Sequence, residues 1–278
     1  MSLVLGWSAT FREIPDLAYL IHRKTGWCPA IQVFTRDCRP LFSDWLDRVY
    51  LVVHSPFNIN LIKPGVEYAL ESVTKDLRLV DRLVDPATRS RTGVVVHLGK
   101  NTEQLSFQEC VEHFCRNIQE ILYRTRENSA RVILETSVKS KNDVFWSVES
   151  FGRLSQRLKN LLGDSVYDSR IGYCIDTAHV FASGYDIRTE EGMRDYFRLW
   201  EEHIGVSRIT LLHLNDSKLG LGCCRDLHQQ LGKGELYSEE KSGVKFLLEW
   251  CQGAMVPVIL ETGGDWEEEL EWLSCMGL

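Results

Sequence analysis

The sequence predicts one (β/α)8 barrel that forms a single domain over residues 1–278, and three observations lead to this fold class. Short β-rich segments recur along the chain, and they are apolar on both faces, as parallel strands covered on both sides should be. Amphipathic segments with helical spacing separate these strands. The chain has 278 residues, which suits one barrel of this kind.

Eight segments have the composition of buried strands and supply the strands of the predicted barrel. In chain order they are 3–7, 31–35, 50–54, 93–97, 130–135, 171–176, 209–214 and 256–261. The helical spacing of apolar residues is clearest over 66–84, 107–121 and 193–204. An open, doubly wound sheet is the alternative fold. No glycine-rich GxGxxG segment or phosphate-binding loop follows the first strand, which disfavours the nucleotide-binding forms of that fold.

The composition argues against several classes of protein. No apolar run approaches the ~20 residues of a membrane-spanning helix, so we expect no membrane association. The nine cysteines show no CxxC spacing, which favours reduced thiols in an intracellular protein. The net charge of −7 argues against a nucleic-acid binder, unless the carboxylates hold divalent cations that invert the local electrostatics.

Histidines and carboxylates gather where the predicted strands end, which is where function lies in this type of barrel. They are His54, His97, Glu135, Asp176, His179, His213, Asp226, His228 and Glu261. Carboxylates at the ends of buried strands are costly unless they are paired or bound to metal. Imidazole and carboxylate groups together suit zinc, manganese or iron. The other histidines, His22, His113 and His203, lie in helical segments and are interpreted as solvated.

The spacing of these residues suggests how they divide among ions. Asp226 and His228 lie two positions apart, so their side chains point the same way in an extended segment and could share one ion. A second group ends three successive strands: His54, His97 and Glu135. A third group surrounds the barrel mouth: Glu135, Asp176, His213 and Glu261. Nine ligands exceed what one ion needs, so the sequence predicts two or three ions.

Several motifs around these residues follow one another in a recognisable order. They are His54 with INL (59–61), HLG (97–99), GYCIDTAHVFASGYDI (172–187), HLNDSK (213–218), DLH (226–228), GKGEL (232–236), ILET (259–262) and DWEEELEWL (265–273). Together they resemble the motifs of the endonuclease IV-type apurinic/apyrimidinic endonucleases (AP endonuclease family 2). The resemblance spans essentially the whole chain.

The resemblance implies a zinc-dependent DNA repair enzyme that binds double-stranded DNA with abasic sites. It would hydrolyse the phosphodiester 5′ to the abasic site and leave a 3′-hydroxyl and a 5′-deoxyribose phosphate. Glu135 and Glu261 would be catalytic, with Glu261 orienting or deprotonating the attacking water. Related 3′-phosphodiesterase and phosphatase activities come with the family. The resemblance implies no nucleotide cofactor, and we expect a monomer.

The resemblance also implies about three zinc ions per chain, with manganese or iron as partial substitutes. One ion would lie on His54, His97 and Glu135. The second would use Glu135 as a bridge and add Asp176, His213 and Glu261. The third would lie on His179, Asp226 and His228. This division agrees with the one that the spacing suggests.

Two residues are assigned to DNA contacts by the resemblance. Arg39 aligns with an arginine that is inserted into the DNA, and Phe57 aligns with a tyrosine that also enters the helix, so the hydroxyl is missing here. The alternative for Phe57 is an aromatic that packs beneath its loop. Basic residues in predicted rim loops could hold the DNA backbone: Arg36, Arg39, Lys63, Lys100, Lys139, Lys218, Arg225 and Lys233. The family's Gly-x-His-Val-Ser segment is replaced by Gly6-Trp7-Ser8-Ala9, which bears on substrate preference.

Two other functions compete with this interpretation. Sugar isomerases and epimerases of the xylose isomerase-like barrels use a metal core that resembles Glu135, Asp176, His213 and Glu261, but they do not need the other five ligands. A DNA-binding protein that scans for damage without catalysis would not need Glu261. The full ligand set therefore favours the nuclease.

Overall fold

The predicted (β/α)8 barrel is confirmed by a computed structural model that describes residues 3–10, 12–34, 49–83 and 92–277. Eight parallel strands close the barrel in chain order, with the last strand paired to the first. They are β1 (Val4–Ser8), β2 (Cys28–Phe34), β3 (Tyr50–His54), β4 (Gly93–Val96), β5 (Arg131–Glu135), β6 (Ile171–Asp176), β7 (Ile209–His213) and β10 (Val258–Leu260). A separate antiparallel pair, β8 (Asp216–Ser217) with β9 (His228–Gln229), follows β7 and was not predicted.

Helices surround the barrel and bury their apolar stripes against it. In chain order they are α1 (Ile14–Thr25), α2 (Glu67–Leu83), α3 (Phe107–Arg124), α4 (Val148–Leu162), α5 (Asp164–Arg170), α6 (Thr177–Ala182), α7 (Glu190–His203), α8 (Ser242–Ala254) and α9 (Trp266–Ser274). The three predicted stripes correspond to α2, α3 and α7, although the last residue of the first stripe, Val84, lies outside the described residues. Among the described helices, none is long and apolar enough to cross a membrane.

The strand ends differ from prediction by a few residues. The last strand begins at Val258 rather than Val256, and Pro257, which lacks a backbone N–H for the ladder, lies between them. The second strand begins at Cys28, because β1 pairs with it from that residue onward. Its predicted end at Thr35 lies outside the described residues.

The interior of the barrel holds an apolar layer with one residue from each of seven strands. These residues are Ala30, Val52, Val95, Ile133, Cys174, Leu211 and Ile259. Successive residues of a strand point to opposite faces, so the residue two positions further along points inward again. This alternation determines which side chains reach the mouth of the barrel.

Candidate metal centre

The layer above the apolar one is polar at every one of these seven strands. It consists of Gln32, His54, His97, Glu135, Asp176, His213 and Glu261, each two positions after a residue of the apolar layer. Six of them were predicted as ligands from the sequence. The other three predicted ligands approach from outside the barrel strands: His179 lies in α6, His228 in β9, and Asp226 in the loop before β9. The structure therefore brings all nine predicted ligands to one mouth.

The Glu135 carboxylate joins two of the predicted groups. Its Oε2 lies 2.9 Å from His97 Nε2 and 3.4 Å from His54 Nε2. Its Oε1 lies 2.8 Å from His213 Nδ1. Ligand atoms of His54, His97 and Glu135 lie close enough together to surround one ion. Oε2 of Glu135 thus faces the first group and Oε1 faces the second, as a bridging carboxylate requires.

The second group centres on His213, which is fully buried. Its Nδ1 lies 3.1 Å from Glu261 Oε2 and 3.9 Å from Asp176 Oδ2. Ligand atoms of Glu135, Asp176, His213 and Glu261 all lie within 4.8 Å of one another. Cys174 also lies nearby, but burial raises the pKa of its thiol to about 12, which fits a protonated packing residue.

The third group lies at the rim, where Asp226 spans two imidazoles. Its Oδ2 is 3.2 Å from His179 Nε2 and its Oδ1 is 3.1 Å from His228 Nε2. The Asp226 side chain is 49% exposed, whereas Asp176 is fully buried. Asp176 Oδ2 also lies 3.5 Å from His228 Nε2, so this buried carboxylate reaches the second and the third group alike.

The tautomers of the imidazoles test whether these groups suit metal ions. His179 Nδ1 lies 2.7 Å from the carbonyl oxygen of Thr136, and His54 Nδ1 lies 2.7 Å from that of Ser55. A carbonyl only accepts, so each Nδ1 carries the proton and each Nε2 of the neutral ring presents a lone pair. These lone pairs face carboxylate oxygens, which are also acceptors. A cation between them would satisfy both, so the residues fit a metal centre.

Unpaired atoms support this conclusion. Glu135 Oε2, His179 Nε2 and His228 Nε2 are buried and form no hydrogen bond with acceptable geometry to any described residue. Buried polar atoms without partners are rare in folded proteins and mark strain, catalysis or an ion. All three belong to the predicted ligands. These three, among several buried side-chain atoms without a hydrogen-bond partner in the described residues, therefore lie where metal ions would bind.

The electric field at the site favours positive charge. Burial alone would lower the pKa of His179, but the carboxylates of Asp176, Asp226 and Glu135 outweigh it and hold that pKa well above its ordinary value. Burial likewise opposes protonation of His228, yet Asp176 and Asp226 raise its pKa to about 9. A field that binds protons this strongly also attracts divalent cations. Protons and metal ions therefore compete for the same nitrogens.

The segment that follows Asp226 and His228 is held by a buried carboxylate that sequence reasoning missed. Asp216 accepts backbone N–H bonds through Oδ2 from Gly232 (2.9 Å) and Gly234 (3.0 Å). Its Oδ1 accepts from Leu236 N at 3.0 Å and from the N–H of Ser217 at 2.8 Å. Gly234 packs so closely that a Cβ there would lie 2.4 Å from the carbonyl oxygen of Ser217. The GKGEL motif is thus the partner of Asp216.

This arrangement makes Asp216 a stability determinant. Asp216→Asn places an amide N–H against backbone N–H groups and leaves buried donors unsatisfied. We expect the free energy of unfolding to fall by about 2–3 kcal/mol, since a buried unsatisfied group costs roughly 1–3 kcal/mol. Urea denaturation checks this. Glu249→Gln, on the exposed side of α8, is the control and should stay within about 0.5 kcal/mol of the wild type. Equal midpoints for both variants would contradict the prediction.

Two further residues that were not predicted contact the ligands. Asn215 donates from Nδ2 to Asp176 Oδ2 at 2.7 Å and accepts from the backbone N–H of Glu261 at 2.8 Å. Gln32 contacts His213 and Glu261. The two-residue alternation along β2 could have indicated Gln32, because it follows the inward Ala30. Trp7 lies in the segment Gly6-Trp7-Ser8-Ala9, which differs from that of the family named above. Its indole N–H donates to buried Glu269 at 2.7 Å.

Phe57 lies at the edge of the mouth, and its alternative interpretation is wrong. The side chain is 68% exposed and therefore does not pack beneath its loop. Its ring lies 5.4 Å from that of His54 and 5.5 Å from that of His97, between centroids. It lines two cavities of about 630 and 420 Å³ that open beside the ligands.

The basic residues expected at the rim divide into two sets. Lys100 and Arg225 line the larger cavity beside Phe57, and Lys100 also lies 3.8 Å from Asp143 Oδ2 through its Nζ. Lys63 instead pairs with Glu103 at 3.0 Å, and Lys139 lies over the ring of Trp146 at 4.6 Å. Lys233 pairs with Glu268. Arg36 and Arg39 lie outside the described residues.

The chain is similar in sequence to known barrel proteins. Residues 46–274 match the profile of a family described as xylose isomerase-like TIM barrel. A putative endonuclease 4 of Acanthamoeba polyphaga mimivirus is 30% identical over 218 residues, covering 76% of this chain and 66% of that protein. A probable endonuclease 4 of Trichlorobacter lovleyi is 31% identical over 215 residues, covering 76% of this chain and 70% of that protein.

One solved structure illustrates the likeness in fold. The crystal structure of endonuclease IV from Thermus thermophilus matches with a TM-score of 0.73 and covers 99% of this chain and 97% of that chain. The two sequences are 21% identical over this match. At that identity the likeness bears on the barrel fold alone.

Proposed function

Because this chain belongs to the endonuclease IV family of xylose isomerase-like TIM barrels, we propose that it is a zinc-dependent DNA repair endonuclease that cuts beside abasic sites. The substrate is double-stranded DNA, and the bond hydrolysed is the phosphodiester 5′ to the abasic deoxyribose. The observation that carries the proposal is the set of imidazole lone pairs that face carboxylate oxygens in an open cleft. Three cations held in this cleft would attract a negatively charged phosphate ester more strongly than an uncharged sugar.

A direct test is incision of a labelled duplex with one abasic site, compared with the same duplex without damage. We expect cutting of the damaged strand only, with a 3′-hydroxyl that a polymerase can extend. A product that cannot be extended would indicate cleavage on the other side of the site. Absence of incision by zinc-loaded protein would overturn the proposal.

The nine ligands would hold three ions in the groups described above, with Glu135 between the first and second. Bound zinc ions would neutralise phosphate charge and acidify a water molecule. Zinc is the metal we propose because imidazole and carboxylate donors in this number suit it, and manganese or iron could replace it in part. Within the proposal, Asp176 keeps the second and third groups together through its position beside His213 and His228.

Glu261 is the residue we propose to manage the proton of the attacking water. Glu261 belongs to the second group and, like Glu135, lines the smaller cavity. Its carboxylate is therefore near both the other ligands and a substrate bound in that cavity. The water oxygen forms a bond to phosphorus, the P–O3′ bond breaks, the water proton passes to Glu261, and the departing O3′ takes up a proton from solvent. The upstream strand then ends in a 3′-hydroxyl and the abasic sugar keeps its 5′-phosphate. Glu135 stays ionised, since the imidazoles of His97 and His213 outweigh burial and lower its pKa.

Phe57 and Arg39 are the residues we propose to enter the DNA. A base-free position leaves a gap in the helix, and aromatic or basic side chains can fill such a gap and stabilise bent DNA. Extruding the damaged nucleotide costs least where base pairing is already lost. Lys100 and Arg225, which line the cavity beside Phe57, would hold the phosphates.

Replacing Phe57 with alanine should separate DNA binding from folding. We expect binding to abasic duplex to weaken by about 1–3 kcal/mol, the scale of one stacking contact. The melting temperature should barely change, because the ring is 68% exposed. Paired binding and melting measurements check both expectations.

The matched control is Tyr123→Ala, which removes an aromatic ring that is 64% exposed on α3. This variant should bind abasic duplex as the wild type does, because Tyr123 lies outside the cavities that open at the mouth. Equal affinity of the Phe57 variant and the wild type for abasic DNA would rule out the inserted ring.

The proposal includes three further properties. Phosphodiesterase and phosphatase activity at blocked 3′ ends would use the same ligands, because the bonds have the same chemistry. The enzyme would act as a monomer inside the cell, where the DNA to be repaired is found. No nucleotide cofactor is required.

A further inference from the structure

Gln32 stands out in the polar layer of the barrel. Among the seven residues of that layer it alone is neither a histidine nor a carboxylate, and its side chain is fully buried. A buried amide is costly unless its oxygen and its NH2 group both find partners. We therefore expect the Gln32 amide to form specific hydrogen bonds with its neighbours.

Both polar atoms of Gln32 contact ligands of the second group. Its Oε1 lies 2.9 Å from His213 Nε2, and its Nε2 donates to Glu261 Oε1 at 2.6 Å. The orientation of the amide follows from chemistry, because an ionised carboxylate only accepts and the NH2 group must therefore face Glu261. The oxygen then faces His213, whose Nε2 must carry the proton.

We propose that Gln32 is a positioning residue, which selects the tautomer of His213 and fixes the orientation of Glu261 for metal binding and catalysis. This inference rests on the proposed function. With its proton on Nε2, His213 presents the Nδ1 lone pair to the space between Glu135 Oε1 (2.8 Å) and Glu261 Oε2 (3.1 Å). With Oε1 held by Gln32, Glu261 leaves Oε2 for that same space.

A second contact completes the hold on Glu261. Asn215 accepts from the backbone N–H of Glu261 at 2.8 Å, and its Nδ2 lies 3.4 Å from Glu261 Oε2. Gln32 reaches the carboxylate from β2, whereas Asn215 reaches it from the end of β7. The side-chain hydrogen bonds of Asn215 go to Asp176 and Glu261, so among the described residues Gln32 Oε1 is the acceptor that His213 Nε2 meets.

The test compares zinc binding in three variants without any DNA. Gln32→Leu removes both hydrogen bonds, and Gln32→Glu keeps the acceptor for His213 but cannot donate to Glu261. Val52→Ala is the matched control, because Val52 pairs with Gln32 in register and lies in the apolar layer below. Zinc affinity is measured by competition with a chelator, and the protonated ring nitrogen of His213 is identified by ¹⁵N NMR of histidine-labelled protein.

We expect both Gln32 variants to bind one zinc ion about 10–100-fold more weakly, which is the usual effect of losing a hydrogen bond that orients a ligand. Val52→Ala should keep wild-type affinity. In the zinc-loaded wild type the NMR signals should show the proton on His213 Nε2, and Gln32→Leu should lose that pattern. Gln32→Glu keeps the shape of the side chain, so it tests the inference even if Gln32→Leu does not fold.

The outcomes separate this inference from the proposed function. Wild-type zinc affinity in a folded Gln32 variant, or a proton on His213 Nδ1 in the zinc-loaded wild type, would overturn the positioning role and leave the endonuclease proposal intact. Protein that binds zinc but does not cut abasic DNA would overturn the endonuclease proposal. A loss of zinc in the Gln32 variants would still support the positioning of His213 and Glu261.

Discussion

Protein stripped of metal by a chelator is expected to lose incision of abasic duplex and to melt at a much lower temperature. Buried Glu135, Asp176 and His213 would then lie together without the cations that offset their desolvation. An ion present at 100 times its dissociation constant stabilises the folded state by about 2.7 kcal/mol. Each kcal/mol shifts the melting temperature by about 2–4 °C in a domain of roughly this size. A loss of at least ~15 °C therefore follows for three ions.

Elemental analysis of dialysed protein should find about three zinc ions per chain. Adding zinc back should restore both the melting temperature and incision, and magnesium, which prefers all-oxygen ligands, should restore neither. A content near one ion would favour the arrangement of the sugar isomerases. Stripped protein that melts and cuts as before would contradict the metal centre altogether.

Glu261→Gln is expected to reduce incision by about 10²–10⁴-fold, the usual contribution of a positioned acid or base. The substituted amide can still accept from Gln32, and its NH2 group can donate to His213 Nδ1, which lies 3.1 Å from the carboxylate in the wild type. We therefore expect the variant to fold, with an amide N–H of the new side chain at the position where a metal ion would bind. Affinity for abasic duplex should survive, because the residues proposed to grip the DNA are unchanged.

The comparison needs zinc content, binding and incision for each protein. Glu271→Gln, on the exposed side of α9, is the control and should cut at the wild-type rate. Variant Glu261→Gln should stay slow even when excess zinc restores its metal content, which separates the proton role from the ligand role. Near wild-type incision by this variant would show that Glu261 has neither role.

Local patterns in the sequence predicted the barrel and the kinds of residue at its mouth. The two-residue alternation of a strand is a local property, so an apolar residue such as Ile133 or Leu211 determines that Glu135 or His213 also points inward. Helical stripes are local in the same way, and α2, α3 and α7 lie where the sequence predicted them. The ends of strands were less predictable, as the late start of the last strand beside Pro257 shows.

The sequence by itself thus determined the fold class, the inward direction of the strand-end ligands and the chemistry of their donor atoms. Only the tertiary structure decided which atoms meet: Asp176 beside both His213 and His228, the buried Asp216 beneath the rim loop, and Gln32 between His213 and Glu261. The reason is that side-chain direction repeats every two residues along a strand, whereas these distances depend on closure of the barrel. Closure places β2 beside the last strand through β1, although Gln32 and Glu261 are 229 positions apart in sequence. No local pattern carries that information.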